Sequence, residues 1–116
     1  MNSIDACLKG IAKLNEQILA EPEVERRRVI VERSVSVLVP DLATVFDMRL
    51  TADGLSDITH RPETAPAPRP QVRITVSSDD LVDLADGRLD PARAILTRRV
   101  KVDASMGDLL RMRKLL

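Results

Sequence analysis

The chain has 116 residues, of which 44% are apolar and 31% charged, with 18 basic and 18 acidic side chains and a formal net charge of zero. These values fit one folded domain over residues 1–116, large enough to bury a core without staples, and they exclude a disordered polyelectrolyte. The balanced charge argues against a nucleic-acid or anionic-membrane binder, and Phe46 as the sole aromatic removes the stacking platforms that single-stranded nucleic acid needs.

Ile4, Cys7, Leu8, Ile11, Leu14, Ile18 and Leu19 recur at helical spacing and predict an amphipathic helix over 4–20. Asn2 or Ser3 can cap it, and Glu21-Pro22 ends it, because the residue before a proline is pushed out of the α region. Gly10 inside it costs about 1 kcal/mol relative to alanine. The stripe suits a cover packed on a sheet; a partner or membrane surface is the other use. The charged stretch Glu23–Arg28 has room for a short helical turn. From Val29 the period becomes two: Val29, Val31, Val35, Val37 and Val39 share one parity, interrupted by Arg33, which predicts a strand with one buried face. Pro40-Asp41 stops it. Phe46, Met48 and Leu50 alternate with Asp47 and Arg49. Asp53-Gly54 then predicts a hairpin with a type I′ turn, and Leu55–His60 returns as a weaker strand, giving an antiparallel meander.

Arg61–Pro70 reads RPETAPAPRP, which cannot join a central ladder and prefers extended polyproline geometry. A surface connection accounts for it more simply than a proline-motif ligand does. Val72, Ile74 and Val76 alternate as the next strand. Ser77 or Ser78 caps a helix with Asp79 and Asp80 in its first turn, where the helix dipole favours acids, and with Leu81, Leu84 and Ala85 inside. Asp86-Gly87 ends that helix. Asp90-Pro91 starts a short one containing Ala94, Ile95 and Leu96. Val100, Val102 and Ala104 form a last strand. Ser105 caps a final helix bearing Met106, Leu109, Leu110, Met112, Leu115 and Leu116, with Asp108 near its positive end. The expected fold class is α+β: about five strands in one mostly antiparallel sheet, with helices covering one face and the other charged and wet.

Groups for chemistry are few. His60 and Cys7 are the only histidine and cysteine. A zinc site of the common kind needs several such ligands, and no serine sits in a nucleophile elbow. Asp79, Asp80 and Asp83 fall where capping already places acids, without calcium-loop spacing. The glycines form no phosphate-binding pattern. No metal, cofactor or catalytic residue is therefore expected. No apolar run reaches the roughly 18 residues of a membrane span, and no signal peptide or disulfide pair is visible, so stable membrane insertion is not expected and a cytoplasmic setting is. What remains is apolar capacity. Met106 and Met112 on the last helix and Met48 on a strand can either line an adaptable cavity or fill a core.

The run VRITVSSDDLVDLADGRLDPARAILTRRVKVDASMGDLLRMRKLL resembles the sterol carrier protein domain, the non-specific lipid-transfer family. The resemblance rests on Thr75–Leu84, Gly87–Leu96, Val100–Asp103 and Leu109–Leu116. Two positions depart from it: Arg98 and Ala104 stand where the family often has glycine. The carboxy-terminal Arg-Lys-Leu-Leu is not of the peroxisomal type, which points to a bacterial or other cytoplasmic member. The resemblance implies an apolar tunnel between sheet and helices that binds sterols, fatty acids or acyl chains without covalent chemistry. Its lining would be drawn from Phe46, Met48, Leu81, Leu84, Ile95, Leu96, Met106, Leu109, Leu110 and Met112. The alternative is a protein-interaction or dimerisation module with the same fold and a filled core.

Overall fold

The computed structural model describes the backbone of residues 1–115 and the side chains of residues 1–110. In chain order the elements are α1 (Ile4–Ala20), α2 (Glu23–Val29), β1 (Arg33–Val39), a single 3₁₀ turn (Pro40–Leu42), β2 (Thr44–Thr51), β3 (Gly54–Pro62), β4 (Val72–Val76), α3 (Ser78–Ala85), α4 (Pro91–Leu96), β5 (Val100–Asp103) and α5 (Met106–Leu115).

Local chemistry accounts for most of these boundaries. The Ser3 hydroxyl accepts from the Ala6 N–H, Ser77 from Asp80, Asp90 from Arg93 and Ser105 from Asp108, so four helix starts carry side-chain caps. Gly87 ends α3 at φ 75°. Two boundaries differ from the sequence reading. Residues 29–32 are not strand: Glu23–Arg27 and Glu25–Arg28 ion pairs support α2, which runs on to Val29, and the Ile30 N–H still bonds to the Arg26 carbonyl. The hairpin turn is not type I′. The positive φ falls on Gly54, at 102°, and not on Asp53.

The sheet order is β3-β2-β1-β4-β5. Its first three strands are the expected meander; β4 then lies parallel to β1, and β5 returns antiparallel to β4. A β-bulge breaks the β2–β3 register between Asp47 and Arg49, with Asp57 at φ 54° opposite it.

Since β3 and β4 flank the β2–β1 pair, the proline-rich segment 63–71 must cross the sheet. Arg61, on the face away from the helices, donates to the Ala65 carbonyl at 3.0 Å, which draws the segment over that outer face. The middle of that face is accordingly not wet: Ser36 and Val45 are buried there. On the inner face α1 and α3 lie side by side. Gly10 permits the approach, since a Cβ there would stand 3.4 Å from the Ala85 Cβ, and Gln17 and Lys13 reach the Ala85 carbonyl and the Asp86 carboxylate.

Candidate functional site

The strand register arranges the inner face in three rows. The first holds Thr44, Val39, Val76 and Val100, the second Phe46, Val37, Ile74 and Val102, and the third Met48, Val35 and Val72. All members of the first and third rows are buried. In the second row Phe46 and Val37 are buried, but Ile74 and its partner Val102 keep partial exposure. The helix cover made by Cys7, Ile11, Leu81, Leu89 and Ala94 therefore thins over the β4–β5 end of one row, between two rows that are sealed. Ile74 and Val102 are thus the two inner-face strand residues of these rows that the core leaves partly exposed.

Of the residues expected to line a cavity, Phe46, Met48 and Leu81 lie together in the core, and Leu84 packs partly buried against it. Leu109 is half-buried. Ile95, Leu96, Met106 and Leu110 are 38%, 83%, 73% and 56% exposed. Met112 lies outside the described side chains. Ile74 and Val102 were read from the sequence as ordinary inward strand positions. Alternation tells which face a residue is on but carries no information about what covers it.

The last helix is anchored by charge. Arg33 begins β1 on the apolar parity, and its Nε donates to both carboxylate oxygens of Asp108, at 2.9 and 3.0 Å. Asp108 is buried and Arg33 half-buried. The pair fixes the first turn of α5 to the edge of the third row. On the outer face Asp47 accepts from Ser36 Oγ at 2.6 Å and Arg61 Nε at 2.7 Å. Burial pushes the Asp47 carboxyl up, but these bonds and the guanidinium charge outweigh it and hold the group below the usual carboxylate range. Asp41 behaves alike: burial raises it, and donation from the Ser78 hydroxyl and N–H lowers it further. Burial also pushes the Cys7 thiol up, so it stays protonated.

Among the described residues no three His, Cys, Asp or Glu side chains gather to hold a metal. His60 is exposed on the edge strand, its ring 6.1 Å from that of Phe46. Asp79, Asp80 and Asp83 are engaged by Asn2, Arg99 and Arg88 respectively. Two open pockets of about 250 Å³ flank the β4–β5 pair. One is lined by Arg69, Gln71, Arg73, Asp103 and Ser105 among others, and the second by Arg98, Arg99, Lys101 and the β4–α3 junction.

The family model described as the SCP-2 sterol transfer family matches residues 11–116. No curated protein matches the chain in sequence. Among solved structures, the sterol carrier protein domain 2 of Helicoverpa armigera is 24% identical with a TM-score of 0.62, over 95% of this chain and 84% of its own. Sterol Carrier Protein 2 Like 2 from Aedes aegypti is 11% identical with a TM-score of 0.61, over 96% of each chain. A stereoselective inverting sec-alkylsulfatase from Pseudomonas sp. is 21% identical with a TM-score of 0.55, over 82% of this chain; the match spans 14% of the sulfatase. At these identities the structural matches establish a shared fold.

Proposed function

The chain belongs to the SCP-2 sterol transfer family, and from that premise we propose that it binds and carries an apolar lipid, such as a sterol, a fatty acid or another acyl chain, without covalent chemistry. The observation that carries this reading is the partly exposed Ile74–Val102 pair between two buried rows. Met48, Phe46, Leu81 and Leu84 lie in the closed core beside it and would meet a bound chain only once the helices move apart. Ile95 and Leu96 from α4 and Met106, Leu109 and Leu110 from α5 would close over it. Each methylene transferred from water contributes about 0.8 kcal/mol before ordering costs, so a long chain repays the movement of two short helices. The protonated, buried Cys7 suits a reducing cytoplasm.

Native mass spectrometry of protein purified from cells tests this reading. The expected outcome is a monomer carrying a co-purified lipid, and displacement of a fluorescent fatty acid by unlabelled ones. Replacing Ile74 and Val102 together by threonine keeps the β-branched shape and adds two hydroxyls, and should weaken fatty-acid capture roughly tenfold with an unchanged circular dichroism spectrum. A ligand-free dimer that shows no displacement at micromolar protein would instead make the exposed α4 and α5 side chains a protein-interaction surface.

A further inference from the structure

We infer that the pocket between the start of β4 and the end of β5 is a binding site for a small soluble dicarboxylate. Its volume is about 250 Å³, and Arg69, Gln71, Arg73, Asp103 and Ser105 supply its polar lining. That space is below the roughly 300 Å³ at which sites for drug-sized molecules begin, so it suits a small solute and not a lipid. Arg73 makes no hydrogen bond or ion pair among the described residues. Asp103 is its register partner across the two strands, yet Asp103 stands closer to Arg69, at 3.9 Å. With those two side chains 70% and 85% exposed, their contact is weak and yields to a better-placed anion.

The wall between the two arginines is fixed in advance. The Gln71 N–H donates to the Ser34 hydroxyl and the Gln71 Oε1 accepts the Ser34 N–H, both at 2.9 Å. This double bond to β1 leaves the Gln71 Nε2 as a donor without a partner among the described residues. The Ser105 hydroxyl accepts the Asp108 N–H and keeps its own hydrogen to donate. Arg69 lies between Pro68 and Pro70; each proline fixes its own φ, and Pro70 holds Arg69 extended. Its backbone therefore loses little freedom when a ligand binds. A guanidinium presents a planar fork that matches a carboxylate with two parallel hydrogen bonds. The two forks belong to different segments, one to the proline-rich connection and one to β4, so each takes its own carboxylate. A monocarboxylate would leave one fork unmatched.

The inference does not depend on the lipid-carrier reading, and its test keeps the two apart. The full chain, isotopically labelled, is titrated with succinate at constant ionic strength and followed by its amide chemical shifts, with acetate and inorganic phosphate as separate arms. Succinate is expected to shift the amides of residues 69–73 and 103–105 saturably, with a Kd on the order of 1 mM, and acetate to bind about tenfold more weakly. Arg69→Gln and Arg73→Gln, both at exposed positions, should each weaken succinate about tenfold at an unchanged melting temperature. Asp103→Asn removes the competing carboxylate and should strengthen binding, while Arg98→Gln, at the other pocket, should leave it unchanged. Succinate that gives no saturable shift at these residues, or that binds both arginine variants as it binds the wild type, overturns the inference. So does phosphate that binds where succinate does not, which would make this a site for one tetrahedral anion. Fatty-acid capture that falls with both arginine variants while succinate fails to bind overturns it too, because the carboxylate would then be the lipid's own.

Discussion

Arg33 is the one charged residue on the apolar parity of β1, and Asp108, 75 residues later, gives it a reason. With Asp108 only 8% exposed, the pair is desolvated enough for removal of one partner to matter more than the pair itself contributes. Asp108→Ala should cost about 2 kcal/mol in urea unfolding, because it leaves a half-buried guanidinium without its carboxylate. Replacing both residues with leucine should restore most of that loss; a double variant no better than the single would mean the pair's geometry, not desolvation, sets the cost. From sequence, Arg33 appeared as an interruption and Asp108 as a helix-dipole residue. Neither reading could join them, since pairing across such a separation leaves no periodic trace.

Elements built on local chemistry were the most legible. The bounds of α1 follow from an apolar stripe, a capping serine and a proline, and the starts of α3, α4 and α5 follow from Ser77, Asp90 and Ser105. The β2–β3 hairpin was legible as a hairpin but not in its turn, because Gly54 answers to α1 as well as to the chain. The Asn15 Oδ1 accepts the Leu55 N–H at 2.8 Å, and a Cβ on Gly54 would stand 2.4 Å from that same oxygen. Gly54→Ala should therefore destabilise by about 2 kcal/mol, combining left-handed strain with loss of the helix-to-hairpin bond. Asn15→Ala together with Gly54→Ala should be less than additive in chemical denaturation; full additivity would separate the two effects and refute the shared contact.

At the scale of the molecule, acid stability collects several carboxylates held down in the fold. Asp47 and Asp41 are lowered by donated hydrogen bonds that exceed the effect of burial, and Asp86 by its bond from Lys13. A carboxylate whose folded pKa lies below its unfolded value of about 3.9 stabilises the protein fully above that value and loses its contribution as pH falls through the folded one. The melting temperature should thus be insensitive to these groups from pH 7 to about 5 and fall steeply below about 4. Asp47→Asn should lower it at pH 7 and make the acid decline shallower. A pH series by differential scanning fluorimetry decides this, and an equally steep decline in the variant would remove Asp47 from the account.

By itself the sequence determined the helices, the strands, the capping residues and the family resemblance, because each depends on neighbours a few positions away. Only the tertiary structure decided that β4 joins β1 in parallel, that the proline-rich segment crosses the outer face, and that the helix cover thins above Ile74 and Val102. Those features depend on which distant surfaces meet, and alternation along one strand is the same whether its face is sealed or open. The partial exposure therefore falls on two residues the pattern marked as ordinary core, while Leu96, expected to line a cavity, stands exposed.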